Sequence, residues 1–368
     1  MLKTIRALVA RAGVPFAGAL IASPFLLSTA AAQGSMAGAG EFVGLALRNF
    51  TPYHSMAGGL LLGVATAMSM VIKGDILGIS GIVGGVVKGK HGEANRWLFI
   101  AGLVTGGTAL KTVYPAALGA TDAPMWRSAV AGLLVGAGVT WGNGCTSGHG
   151  ICGNARLSSR SMGYTLIFMG SGFVSASLMQ SGSSITFASA PIPSTQDLTT
   201  LAFQILGLHL LAYLAVTGMA TAKMIQPNAA RSLVTFMDGS LFALGLGVSG
   251  MTSPLKVAQF LDVSSGSWDP SLMFVMGSAL LLNLPLMQGI IMSGALQKPM
   301  LSRTFSYPPP RAMDTKLIVG GVLFGAGWGL GGACPGPAIV SLLSPSPVML
   351  VWNVTFLLGI CGANASGW

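Results

Sequence analysis

Apolar residues dominate this chain in long runs that approach the length of a bilayer crossing. Nine such runs, at 53–72, 96–114, 126–142, 161–180, 200–222, 232–250, 271–292, 316–333 and 347–363, are separated by short polar breaks. A membrane helix needs about 20 predominantly apolar residues, so each run predicts a spanning helix, several of them slightly short. Segment 14–32 is a candidate tenth. Four glycine-rich pieces, 75–87, 143–155, 254–262 and 335–344, are too short to cross. Such backbone survives at membrane depth only where protein or a water-filled cavity satisfies it, so these pieces are expected to dip inward as re-entrant half-helices. The fold class that follows is an all-α polytopic membrane protein.

One signature is written twice. Residues 132–145 read GLLVGAGVTWGNGC and residues 321–334 read GVLFGAGWGLGGAC, without a gap, at an offset of 189. Both copies break immediately after a cysteine. Loop charge sets their orientation: Lys88, Lys90, Arg96, Arg156, Arg160, Lys223, Arg231, Lys298, Arg303, Arg311 and Lys316 fall on one side if the nine spans alternate. The serine-rich loop 181–199, with Asp197, falls on the other. The two copies then run in opposite directions. Segments 53–72 and 232–250 are also opposed, and each leads into a similar turn, Gly78-Ile79-Ser80-Gly81 and Gly247-Val248-Ser249-Gly250. The expected architecture is a pair of inverted repeats with broken half-helices around a central path, a pattern of secondary transporters and channels. Residues 53–222 form the first half and 232–363 the second, with motifs at 142–161, 249–262 and 325–338. The linker 298–315 holds Pro308, Pro309 and Pro310 and reads as a cytoplasmic connection.

Composition narrows the class. The 368 residues have a mean hydropathy of +0.72 and only 8% charged residues, against near a quarter in a soluble domain. The net charge of +10 comes from scarce acids more than from abundant bases. The bases are spread between apolar runs, which argues against a nucleic-acid surface. Residues 1–33 carry Lys3, Arg6 and Arg11, then an apolar stretch ending STAAAQ, and read equally as a signal peptide, an organelle-targeting presequence or a first membrane helix. GGVVKGK at 84–90 lacks the Ser or Thr of a phosphate loop, and Gly245, Gly247 and Gly250 match a dinucleotide fingerprint only by accident inside a span. No cofactor, catalytic set or metal centre is expected.

The candidate chemistry lies at the breaks. Cys334 precedes Pro335-Gly336-Pro337, Ser253 precedes Pro254, Thr146 and Ser147 follow Cys145, and Ser80 lies in the first turn. Ser or Thr before a helix and Pro at its first position are start signals. Converging helix starts offer free N–H groups and partial positive charge, hence an anion site. The plainer alternative is that the glycines permit close packing and the prolines only kink. Cys145, His149 and Cys152, at i, i+4 and i+7, would share one face of an α-helix, and a nearby imidazolium would favour thiolates. Equally, Cys152 could be a small buried apolar residue and His149 a turn cap. Lys256 could attract anions at an entrance or pair with Asp262. Lys73, Asp75, Lys111 and Asp238 lie in or beside apolar runs, as functional ions or as side chains snorkelling to an interface. Met251, beside the second turn, is the methionine of interest. Cys361, in the last span, has the profile of an ordinary buried thiol.

GNGCTSGHGICGNARLSSRS (142–161), SGMTSPLKVAQFLD (249–262), WDPSLMFVMG (268–277) and GAGWGLGGACPGPA (325–338) resemble the YeeE/YedE sulfur-transport family, in a form with both halves fused. The resemblance covers roughly residues 53–362. It implies uptake of thiosulfate or a related sulfur compound, with cysteines relaying the ion through weak thiol contacts. By motif match that role falls on Cys145 and Cys334. Family members that take up thiosulfate have a further cysteine near the first broken turn, and here that turn, 78–81, has none. The expected partners are a small sulfur anion, the lipid bilayer and a sulfurtransferase. The expected location is the plasma or inner membrane, with an organelle membrane as the alternative. A membrane sulfurtransferase carrying a persulfide on Cys145, and a soft-metal permease, are the rival readings.

Overall fold

A computed structural model describes residues 50–89, 93–119, 123–180, 195–265, 268–308, 312–343 and 346–366. Segment 1–33 and most of the loop 181–199 lie outside the described residues. Helix forms at all nine apolar runs: α1 (Pro52–Met68), α3 (Glu93–Val113), α4 (Met125–Trp141), α5 (Ser159–Gln180), α6 (Thr195–Thr221), α7 (Pro227–Val248), α9 (Ser271–Pro285), α10 (Thr315–Gly331) and α12 (Pro347–Ala365). Three short helices, α2 (Ile79–Val87), α8 (Pro254–Leu261) and α11 (Pro335–Ser341), occupy three of the glycine-rich pieces. The fourth, Thr146–Gly153, is wound as a π-helix. Two spans also end in π turns, α1 at Ser69–Lys73 and α9 at Leu286–Met292. The protein is thus an all-α polytopic membrane protein.

Local chemistry explains the boundaries. Pro begins α1, α7, α8, α11 and α12, where its missing N–H is not needed. Asp314 caps α10 by accepting from the Leu317 N–H at 2.8 Å. Gly332 ends α10 at φ +61°, and a Cβ there would also lie 2.5 Å from the Pro254 carbonyl oxygen.

Among the described residues, six segments are long and apolar enough to cross a membrane: Pro52–Lys73, Ser159–Met179, Leu198–Thr221, Ser271–Met292, Thr315–Ser341 and Pro347–Ala365. The other three expected spans fall short for visible reasons. Helix α4 has 17 residues. Charged residues lower the hydropathy of α3 (Glu93, Arg96, Lys111) and α7 (Arg231, Asp238). These helices rely on neighbours: α3 packs along α7, and α4 along both α10 and α12. Helix α1 is central, with 78% of its apolar window buried, whereas α5 and α6 bury 22% and turn residues such as Leu166, Leu178 and Leu208 outward, as lipid contact requires.

The helices pair in matching sets. Helix α4 lies parallel to α12, through Gly132 against Trp352 and Gly136 against Phe356. Helix α10 lies parallel to α5, through Gly321 against Tyr164 and Ile167 and Gly325 against Phe168. Likewise α7 runs parallel to α3, and α1 to α9. Between the sets, α4 crosses α10 antiparallel, with Gly138 on Gly320 and Phe324, and Gly327 on Ala131. Helices α1 and α7 are antiparallel too, since Ser55 reaches Ser249 while Lys73 reaches Asp238. The signature glycines therefore do pack helices: a side chain at 132, 136 or 325 would run into a facing backbone carbonyl.

Candidate functional site

Three of the four half-helices begin at one cavity of about 360 Å³. Its wall includes Ile79 at the start of α2, Cys145, Thr146 and Ser147 at the start of the π-helical piece, and Cys334, Pro335 and Gly336 at the start of α11. Met251, just before α8, and Phe260, in its last turn, also line the wall.

The two cysteines occupy the same structural position. Each is the residue just before a half-helix, in extended backbone: Cys145 at φ −136°, ψ −167° and Cys334 at φ −115°, ψ 169°. Two residues earlier, each chain turns through a positive φ, +55° at Asn143 and +61° at Gly332. Asn and Gly are the residues that tolerate this conformation best. The cap residues Gly78, Cys145, Ser253 and Cys334 make no side-chain cap hydrogen bonds. A neighbour serves instead at α2, where the Ile79 N–H donates to Ser147 Oγ at 3.3 Å. Cys145 Sγ lies 3.3 Å from Ser147 Oγ, and the Thr146 hydroxyl donates to Cys334 Sγ at 3.9 Å. Each thiol thus has a hydroxyl beside it, Ser147 at Cys145 and Thr146 at Cys334.

Other candidates are placed elsewhere. His149 is not on the cavity wall: Nδ1 pairs with Ser161 Oγ at 2.9 Å, Nε2 with the Gly142 carbonyl at 3.2 Å, and the ring lies 4.5 Å from Tyr164. Cys145 sits before the helix in extended backbone, so the spacing that would align i, i+4 and i+7 on an α-helix does not apply to it. The Cys152 thiol donates to the Leu77 carbonyl at 3.7 Å, behind the first broken turn. Ser253 precedes α8 but is not on the wall. Ser80 is buried next to Ile79, and its hydroxyl has no hydrogen-bond partner among the described residues. Lys256 pairs with Asp269 at 2.9 Å and donates to Thr51 Oγ1 at 2.6 Å, so Asp262 is not its partner. Cys361 corrects its expectation: it is exposed on α12, where the helix surface faces outward.

The sequence reading missed Trp328, Phe242, Leu246 and Met276, all on the cavity wall. Residues inside apolar spans carry no polar signal. Trp328 had a faint one, since the first signature copy has Val139 at the matching position. It is buried, and its indole N–H has no hydrogen-bond partner among the described residues. An unpartnered buried donor is costly unless a ligand meets it.

A model described as a family of unknown function, DUF6691, matches residues 230–364. A Xylella fastidiosa (strain Temecula1) protein named "Probable transporter" is 45% identical over 130 residues, 35% of this chain and 86% of the relative. A protein of the same name from strain 9a5c is 44% identical over 121 residues, 33% of this chain and 81% of the relative. The chain belongs to one family with these proteins, which are much shorter than it.

Proposed function

We propose that the protein is a membrane permease for a small sulfur-containing anion, with thiosulfate the best fit. The observation that carries this reading is the matched pair Cys145 and Cys334, each at the start of a half-helix and both on one cavity. The name of the Xylella relatives supports transport as the class. The motif resemblance to the YeeE/YedE family supports sulfur.

Each part of the wall has a role. The N–H groups at the start of the π-helical piece and the Gly336 N–H of α11, with the indole N–H of Trp328, hold the oxygen atoms. The thiols of Cys145 and Cys334 make weak S–H contacts to the soft terminal sulfur, and Thr146 and Ser147 bridge from one to the other. Met251 adds a polarisable thioether. The anion passes between the thiols without a covalent step. The chain acts as two inverted halves, 53–222 and 232–363. The antiparallel crossings of α4 with α10 and of α1 with α7 support this, as do the short relatives and a family match over 230–364. The membrane is the plasma or inner membrane.

The test is growth. A cell deficient in thiosulfate uptake is supplied with thiosulfate as sole sulfur source, with and without this chain. Growth only with the chain is the expected result. No growth, with the chain present in the membrane, rejects thiosulfate import.

A further inference from the structure

Lys73 and Asp238 form an ion pair of 2.7 Å, with side chains 7% and 0% exposed. Neither snorkels to an interface. The Tyr213 hydroxyl on α6 donates to the other carboxylate oxygen at 2.8 Å, and Lys73 donates to Thr235 at 3.0 Å. The remaining ionisable neighbours are engaged elsewhere. His209, one turn before Tyr213 on α6, bonds the Ile205 carbonyl at 2.9 Å. Arg231, two turns before Asp238, pairs with Asp75 at 3.2 Å. Helix α3 presents Phe99 and Leu103 to this part of α7.

A buried ion pair is a poor stabiliser compared with apolar packing, and a charge inside a membrane protein points to an ion pathway. The pair is also tied to the cavity. Asp238 lies four and eight residues before Phe242 and Leu246, which line the wall from α7. Residues at that spacing share a helix face. Lys73 ends the π turn of α1, which gives Leu62 to the same wall. We infer that the Lys73–Asp238 pair is a proton-binding site that couples proton movement to anion movement through the cavity. This rests on the proposed sulfur-anion permease.

The step balances simply. With the pair intact the site has no net charge. A proton taken from water binds the Asp238 carboxylate, and the ion pair opens. Lys73 stays an ammonium held by Thr235, so the site now carries one positive charge. An anion in the cavity is then favoured. When the anion leaves, Asp238 returns the proton to water and the pair re-forms. Leu246 is about 12 Å along α7 from Asp238, and at an effective dielectric near 20 a unit charge at that distance changes anion affinity about ten-fold. Proton and anion therefore strengthen each other's binding reciprocally.

The test uses the full chain in liposomes with labelled thiosulfate. Exchange at equal pH on both sides is compared with accumulation driven by an imposed pH gradient. The wild type is expected to exchange and to accumulate with the gradient, whereas Asp238→Asn exchanges but ignores it. A second measurement avoids any folding defect of the variant: an indicator dye follows proton uptake when thiosulfate is added to weakly buffered wild-type protein. Exchange with no gradient response in the wild type, no proton uptake, or an undiminished gradient response in Asp238→Asn each overturns the coupling and leaves the permease standing. No thiosulfate exchange at all in the wild type removes the permease reading, and the coupling with it.

Discussion

The thiol of Cys334 sits 3.9 Å from the hydroxyl of Thr146, although 188 residues separate them in the chain. That contact joins the start of α11 to the start of the π-helical piece at the cavity wall. Cys334→Ala and Cys145→Ala should each reduce thiosulfate uptake strongly, and Cys361→Ala, on the exposed side of α12, should leave it near wild type. Initial uptake rates, normalised to membrane-inserted protein, check this. Full activity in the Cys145→Ala, Cys334→Ala double variant ends the relay.

Selectivity should depend on the same thiols. Helix-start N–H groups accept any oxyanion, so they pass sulfate as readily as thiosulfate. Each weak thiol contact is worth about 0.5–1 kcal/mol, so two or three give about ten- to a hundred-fold preference. Serine at Cys145 or Cys334 should strengthen oxygen contacts and narrow the gap. Uptake of labelled thiosulfate against excess sulfate measures it, and unchanged sulfate exclusion in both serine variants assigns selectivity to cavity shape.

Trp328→Phe keeps an aromatic ring but removes the indole N–H, which no described residue accepts. The smaller ring also leaves a void in the core, so some thermal stability should be lost. A hydrogen bond to a charged group is worth about 1.5–3 kcal/mol, so KM for thiosulfate should rise about ten- to a hundred-fold. A KM equal to wild type excludes the indole as a substrate donor.

Asp269 is completely buried and holds Lys256 together with the Ser271 backbone N–H at 2.9 Å. Asp269→Ala removes the carboxylate that faces a largely buried cation and should cost about 3–5 kcal/mol. The double variant Lys256→Met, Asp269→Leu should recover much of that loss in thermal unfolding. If the double variant is stable but takes up thiosulfate slowly, Lys256 serves the anion's entry as well as the fold.

The Arg160 guanidinium and the Leu317 N–H hold the Asp314 carboxyl below its ordinary range. A lowered folded-state pKa stabilises above the unfolded value, near 3.9, and that contribution is lost as pH falls through the folded value. The pair is surface-exposed, so the effect is small. The melting-temperature gap between wild type and Asp314→Ala should be full at neutral pH and close in acid. A gap that is flat with pH rules the carboxylate out.

The apolar runs alone made the chain a membrane protein and located its helices, because a bilayer forces every spanning backbone into helix. The duplicated signature likewise placed both cysteines just before short helices, since Asn143, Gly332 and Pro335 act on the local backbone and need no partner. What the chain could not disclose is which side chains meet. The extended backbone of Cys145 and the bond that holds His149 to Ser161 on α5 leave the imidazole off the cavity wall. Trp328, Phe242 and Leu246 look like any core residues until the cavity forms beside them. Lys73 meets Asp238 because α1 and α7, distant in sequence, are brought together, and Lys256 meets Asp269 instead of Asp262 because the connection between α8 and α9 folds back. Periodicity and turn chemistry are short-range and are written residue by residue, whereas the partner of a buried charge or an indole N–H is fixed only by how the helices pack.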